Sequence, residues 1–322
     1  MKRLLSALAL VVVAVTIAAA QTYPSRPITI VVPYPAGGPT DTLARILADH
    51  MKGTLGETII VENVSGAGGS VGVARVARAV PDGYTLGIGH WNTHVVLGAT
   101  MKLPFDVLND FTPIALLADT PIWLVARNNL PPKDLKEFIA WLKENPGKAS
   151  AGSVGVGGAS DVTGAYFQQV TGTHFQLVPY RGSAPLNQDL VAGHIDLTLG
   201  MSAATYPLQH SGQIKAYAMM TKKRWSGAPD IPTMEEAGVP GLYATFWHAL
   251  WAPKGAPKEI IAKLNGSVRA ALADPVVRKR FTDQGQEIWP PEMQTPEALY
   301  AHQKAEIEKW WPIIKAAGIK AE

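Results

Sequence analysis

Three glycine-rich turns stand where a ligand could be gripped without any ionisable side chain. They are Ala36-Gly37-Gly38-Pro39-Thr40-Asp41, Gly66-Ala67-Gly68-Gly69-Ser70 and Gly155-Val156-Gly157-Gly158, each set between an apolar run and the start of a helix-like segment. Glycine lets the backbone approach a ligand closely and point its N–H groups outward. The helix N-terminus behind each turn adds about half a positive charge. Such turns converging on one point make an anion site that needs no Lys or Arg. A single turn of this kind reads first as a tight strand-to-helix connection, but its recurrence in one chain favours binding.

A fourth junction, Pro179-Tyr180-Arg181-Gly182-Ser183-Ala184-Pro185, has the same strand–turn–helix setting. Ser183 reads as an N-cap. Arg181 reads either as a ligand contact or as a surface ion-pair partner. Asp41 reads as a cap or loop brace, since a carboxylate at a helix start repels an anion. Trp91, Tyr180, Phe246 and Trp247 fall at strand ends or crossovers, where clefts form.

Catalytic signatures are thin. Gly68-Gly69-Ser70-Val71-Gly72 matches G-x-S-x-G, the turn that exposes a hydrolase nucleophile. A secreted serine esterase using Ser70 is therefore the enzyme alternative, although no HGGG-type oxyanion motif accompanies it and Ser in a glycine turn is a common N-cap. The dinucleotide fingerprint fails, because Val71 and Ser160 stand where the last Gly belongs. There is no G-K-[ST] phosphate loop. His90 and His94 are four apart but have no acidic third ligand nearby, so they read as polar lining and not as a metal site. No cofactor and no metal are expected.

The elements that would position these turns alternate regularly. Strand 28–32 precedes a helix carrying Leu43, Ile46, Leu47 and Met51, which Gly53 is expected to stop. Strand 58–61, helix 71–80 and strand 84–88 follow. Strand 123–126, helix 135–143, helix 160–170, strand 176–178, helix 186–192 and strands 195–199 and 214–220 repeat the pattern. Strand 245–251 and helices 259–272 and 296–314 close the chain, with Thr295 and Pro296 opening the last helix. Alternation of this kind predicts an α/β fold with parallel-dominated sheets flanked by helices. The Pro/Gly-rich segment 226–241 reads as a crossover. The expected division is lobe 1 over residues 21–122 plus 240–322 and lobe 2 over 123–239, hinged near 120–126 and 226–245.

Composition narrows the class. Lys2 and Arg3, an apolar run from Leu4 to Ala19, and Ala18-Ala19-Ala20 before Gln21 read as a cleaved secretory signal over residues 1–20. A retained N-terminal anchor is the rival, disfavoured by a run shorter than the ~20 residues a spanning helix needs. The chain has no Cys, which removes disulfides, thiolate nucleophiles and lipidation together. Net charge is +3 from 29 basic and 26 acidic residues, and loss of Lys2 and Arg3 leaves +1. No basic cluster suits nucleic acid.

At this point the residues resemble a known family. Tyr23-Pro24-Ser25-Arg26-Pro27-Ile28, Val32-Pro33-Tyr34-Pro35-Ala36-Gly37-Gly38-Pro39-Thr40-Asp41, Val61-Glu62-Asn63-Val64-Ser65-Gly66-Ala67-Gly68-Gly69, Pro81-Asp82-Gly83-Tyr84-Thr85-Leu86, Val178-Pro179-Tyr180-Arg181-Gly182 and Asp230-Ile231-Pro232-Thr233 are similar to the substrate-binding proteins of tripartite tricarboxylate transporters, the Bug family. The match runs in order along the mature length. The resemblance implies a two-lobed periplasmic binding protein-like fold of type II, with two crossovers. It also implies a periplasmic location, a small organic acid ligand (mono- or dicarboxylate, aliphatic or aromatic), and delivery to a membrane permease of that transporter type by a protein read as a monomer. A sensor subunit serving a membrane kinase would have the same fold. In the family one ligand carboxylate is held by the first two glycine loops, which corresponds here to Gly37, Gly38, Thr40, Asp41, Ala67 and Gly68.

Two departures stand out. Gly158 and Asp161 replace the Ser and His usual in the third turn, and Leu97-Gly98 replaces an Asn-Pro pair. Both lie where the distal half of the ligand would be read, so specificity does not carry over. Asp161 either faces the cleft, disfavouring a second carboxylate, or faces solvent and caps its helix. The candidate ligand-binding set is Ala36, Gly37, Gly38, Thr40, Asp41, Ala67, Gly68, Trp91, Asn92, Gly155, Gly158, Asp161, Tyr180, Arg181, Ser183 and Ser202.

Overall fold

The fold is that of a computed structural model, which describes residues 23–154 and 157–320. The signal-like segment 1–20 and Gly155 lie outside the described residues. Strand β1 (Ile28–Val32) runs into helix α1 (Pro39–Leu55), whose apolar stripe of Leu43, Ile46, Leu47 and Met51 is wholly buried. Gly53 does not end this helix as expected. Gly56 does, at φ 76°, its N–H closing on the Lys52 carbonyl. A glycine stops a helix by adopting a left-handed turn, and one that keeps helical angles is simply carried along.

Strand β2 (Ile59–Asn63), helix α2 (Ser70–Ala77) and strand β3 (Thr85–His90) complete a parallel β2-β1-β3 array. After the 17-residue strand β4 (Phe111–Arg127) come α3 (Leu135–Glu144), β5 (Ser150–Val154), α4 (Ala159–Thr171), β6 (Gln176–Tyr180), α5 (Ser183–Ala192), β7 (Leu197–Met201), α6 (Ser202–His210) and β8 (Ile214–Met219). The chain then returns through β9 (Thr245–Pro253), α7 (Lys258–Ala273), α8 (Pro275–Asp283), the short β10 (Glu287–Ile288) and α9 (Pro296–Ala316). Ser183 is the first helical residue of α5, not its cap; Gly182 holds the cap position and no side chain closes it.

Strand β4 joins two sheets. Its first part pairs antiparallel with β9, from Phe111↔Pro253 to Pro121↔Thr245. Its last part, from Ile122 onward, pairs antiparallel with β7 on one side, while β8 takes the other side from Trp123. The return path is tied to it where the Met220 N–H donates to the Ile122 carbonyl at 2.7 Å and the Ala244 N–H to the Met220 carbonyl at 2.8 Å. The sheets are thus mixed and not parallel-dominated: among the described residues four strand pairings are parallel and five antiparallel. The parallel pairs are the outer strands of each sheet. The antiparallel ones arise where β4, β8 and β9 carry the chain between sheets.

Helices α7 and α9 cover the first sheet. Asn265 of α7 donates from Nδ2 to the carbonyls of Ile114 and Gln294, at 2.8 and 2.7 Å. Gln303 of α9 donates to the carbonyls of His94 and Val107 and accepts from Trp251 Nε1. Buried amides that satisfy several partners fix helix position as well as the surrounding apolar contacts do. No helix among the described residues is long and apolar enough to cross a membrane.

Candidate functional site

Between the two sheets lies a cavity of about 570 Å³. The first sheet contributes Tyr34 and the loop 35–40, with His90, Asn92, Phe246 and His248. The second contributes Val154, residues 158–160, Thr163, Ser183, Leu186, Asn187, residues 198–201, Ala204 and Thr205, and Ile122 sits where β4 passes between sheets.

Four helices open onto this space at their N-termini: α1, α4, α5 and α6. Their cap positions hold Gly38, Gly158, Gly182 and Met201, and no side chain caps any of them. Among the other helices, α2 and α7 likewise lack a side-chain cap, while α3, α8 and α9 have one. Asp134 accepts from Glu137 N–H, Asp274 from the N–H groups of Val276 and Val277, and Thr295 from Ala298 N–H. A helix start leaves unpaired N–H groups that a side chain, water or ligand must satisfy. All four helices that meet the cavity therefore leave their first N–H groups without a side-chain acceptor.

Among the described residues the lining contains no Lys, Arg, Asp or Glu. Its titratable groups besides Tyr34 are His90 and His248, which face each other as a pair in the antiparallel β3–β9 register. Burial, reinforced by His248 and His94, drives the His90 imidazole well below its ordinary value, and burial pushes His248 down to about 3. Both rings are therefore neutral at pH 7. His248 Nε2 lies 3.2 Å from Thr40 Oγ1, and His90 stacks on Tyr34 at 4.7 Å. The first-sheet wall is a compact polar and aromatic patch around the mouth of α1.

Asp41 and Asp161 stand behind their loops. Asp41 Oδ2 accepts from Gly37 N–H at 2.8 Å, and Asp161 Oδ2 from Gly157 N–H at 2.7 Å. Burial raises the Asp41 carboxyl, but hydrogen bonds from Arg45, Gly37 and Asn63 outweigh it and hold the group below the usual carboxylate range.

Of the residues expected from sequence, Ala36, Gly37, Gly38, Thr40, Asn92, Gly158 and Ser183 are brought together on the cavity wall. The others are not. Trp91 is fully buried and packs edge-on against Trp310 at 4.9 Å, because the chain leaves β3 through a π-helical turn (Asn92–Val96) that carries the indole inward. Ala67 and Gly68 lie at the rim, where the Gly68 carbonyl accepts from Tyr34 OH at 3.1 Å. Tyr180 is turned onto α5, donating to Asp189 Oδ2 at 2.7 Å. Arg181 is exposed outside the cavity, and Ser202 is wholly buried beneath the start of α6. Asp161 faces neither the cavity nor bulk solvent.

Ser70 opens α2 in an ordinary helical conformation, φ −61°, away from the cavity. His94 is stacked on Trp251 at 3.6 Å in the core, so it does not pair with His90 on the cavity wall. His248, Thr205 and Asn187 were missed. Asn187 had a signal, since it lies one helical turn beyond Ser183. His248 had none, since only pairing with β3 brings it to the site.

This arrangement matches a recognised family along most of the chain. Residues 43–319 fit the model of the tripartite tricarboxylate transporter family receptor, TctC. The chain belongs to that family. Among solved structures it is similar to the periplasmic binding protein BugD, at 40% identity and a TM-score of 0.80 over 93% of this chain and 100% of that one. MatC of Rhodopseudomonas palustris, solved with bound malate, shares 38% identity at a TM-score of 0.80 over 91% of this chain and 100% of its own. A further R. palustris protein, solved with adipate, shares 33% identity at a TM-score of 0.82, covering 92% of this chain and 99% of that one. The receptor therefore has the two-lobed fold of periplasmic binding proteins.

Proposed function

We propose that this receptor captures a small organic carboxylate between its lobes in the periplasm and presents it to a tripartite-type membrane permease, without chemical conversion. The observation that carries the reading is the convergence of four N-termini without side-chain caps on a cavity free of charged side chains. Oriented N–H groups and helix dipoles stabilise an anion in such a setting. The malate- and adipate-bound relatives support the ligand class. The division into lobes 21–122 plus 240–322 and 123–239 belongs to the same proposal. Closure would rotate one lobe on the other where β4 and the 220–245 segment cross between sheets.

A thermal-shift screen of several hundred organic acids, with the matching amides, sugars and divalent metals as controls, tests it. A ligand at 100 times its Kd adds about 2.7 kcal/mol of stability. Stabilisation by a set of acids but not by their amides is expected. Stabilisation by sugars or metals alone, or turnover of a bound ester, would overturn the reading.

A further inference from the structure

The two lobes present the same loop to the cavity with a different net charge behind it. In both, the first glycine is left-handed (Gly37 φ 85°, Gly157 φ 70°) and the second is an extended cap residue (Gly38 φ −78°, Gly158 φ −86°). In both, an Asp in the first helical turn accepts from the N–H of the first glycine, four residues back. The backbone donors are therefore arranged alike.

What differs is the counter-charge. Asp41 is paired at 2.9 Å with Arg45, one helical turn on, and its Oδ1 accepts from Asn63 Nδ2 at 3.0 Å. The position one turn beyond Asp161 is Ala165. Among the described residues Asp161 makes no ion pair, and its Oδ1 is buried without a hydrogen-bond partner. On the first lobe the charge pair cancels, which leaves the α1 dipole to attract an anion. On the second, a full negative charge outweighs the half charge of the α4 N-terminus.

We infer that the bound acid is a monocarboxylate with an uncharged, largely apolar distal half, because Asp161 makes the second lobe repel a second carboxylate while Arg45 leaves the first lobe able to hold one. The inference rests on the capture reading above. The far wall fits it, as Val154, Leu186, Leu199 and Met201 line the cavity there, with Ile122 where β4 crosses and Phe246 on the first-sheet side. A volume of about 570 Å³ leaves room for an alkyl or aryl body.

The test is isothermal calorimetry on the purified protein with matched acid pairs that differ only in the distal group: hexanoate against adipate, 4-methylbenzoate against terephthalate, and further pairs from four to eight carbons. The monoacid is expected to bind about tenfold or more tightly in each pair that binds, the scale of one charge repelling another across several ångströms of protein. Asp161→Asn removes the repulsion and should bring the members of a pair within about threefold. Ala165→Arg, which copies the Arg45 arrangement and leaves the loop hydrogen bond untouched, should do the same by a separate route. A parent protein that prefers the diacid, or two folded variants with the parent's ratio, overturns this inference and leaves carboxylate capture standing. Failure of every acid to bind sinks the capture reading itself, and this inference with it.

Discussion

Gly37→Ala isolates the backbone geometry on which the anion site depends. Gly37 has φ 85°, and a Cβ added there meets no atom within 4 Å, so the substitution introduces strain without collision. Holding an alanine in the left-handed region costs roughly 1–2 kcal/mol. The Gly37 N–H that donates to Asp41 is retained, since it belongs to the backbone. If the loop keeps its shape, the cost appears in the unfolding free energy. If the loop relaxes in the free protein, the cost appears in affinity instead, as a loss of about 5- to 30-fold. The two losses should sum to about 1–2 kcal/mol however they divide. Gly53→Ala is the control: it too meets nothing within 4 Å, but it lies inside α1. That change should stabilise by about 0.5–1 kcal/mol. Urea unfolding paired with calorimetric titration of a bound acid reads both quantities. The reasoning fails if Gly37→Ala unfolds at the parent midpoint and binds with the parent affinity.

Ligand affinity should be flat from pH 5 to 8, about the range over which an ordinary imidazole changes charge, because His248 is held down to about 3 and His90 well below its ordinary value; a fall in affinity above pH 6.5 would instead mark an imidazolium anchor. Stability should peak near pH 6.5, the ordinary histidine value. Below that point the unfolded chain binds protons that buried His90, His94, His248 and His302 refuse, so stability drops with falling pH. Above it, Asp119, whose carboxyl burial pushes up to about 8, holds its proton more tightly folded than unfolded, so stability declines as pH rises towards 8. Asp119→Asn should remove that alkaline decline in melts taken at half-unit steps. Trp91→Phe should lower stability by roughly 1–3 kcal/mol through lost packing yet leave affinity unchanged; a tenfold affinity loss would return Trp91 to the site. Gln303→Leu strands the buried carbonyls of His94 and Val107 and the Trp251 N–H, and should cost about 2–5 kcal/mol in urea unfolding.

Much of the secondary structure was legible because it is local. The stripe of α1, the Thr295-Pro296 start of α9 and the apolar β-branched run of β1 each announce themselves within a few residues. The first half of β4 did not, since Pro113 and Pro121 interrupt its apolar run. Pro113 sits at a register shift of the β4–β9 ladder, where a proline without an N–H is tolerated, and Pro121 forms the last pair of that ladder, with Thr245. Helix α8 was missed because Arg278, Lys279 and Arg280 interrupt a short apolar pattern behind Pro275. Trp91 was misplaced because position at a strand end does not tell which way the following turn carries a side chain.

By itself, the sequence determined where glycine turns precede helix starts and that the chain, at +3, carries little net charge. Those are properties of neighbouring residues and of composition. Only tertiary structure decided which helix mouths share one cavity, that His90 and His248 meet across β3 and β9, and that Asp41 finds a cation and Asn63 while Asp161 is left alone. The physical reason is that strand order and register are set by burial summed over the whole sheet, so residues far apart in the chain become neighbours without any local mark.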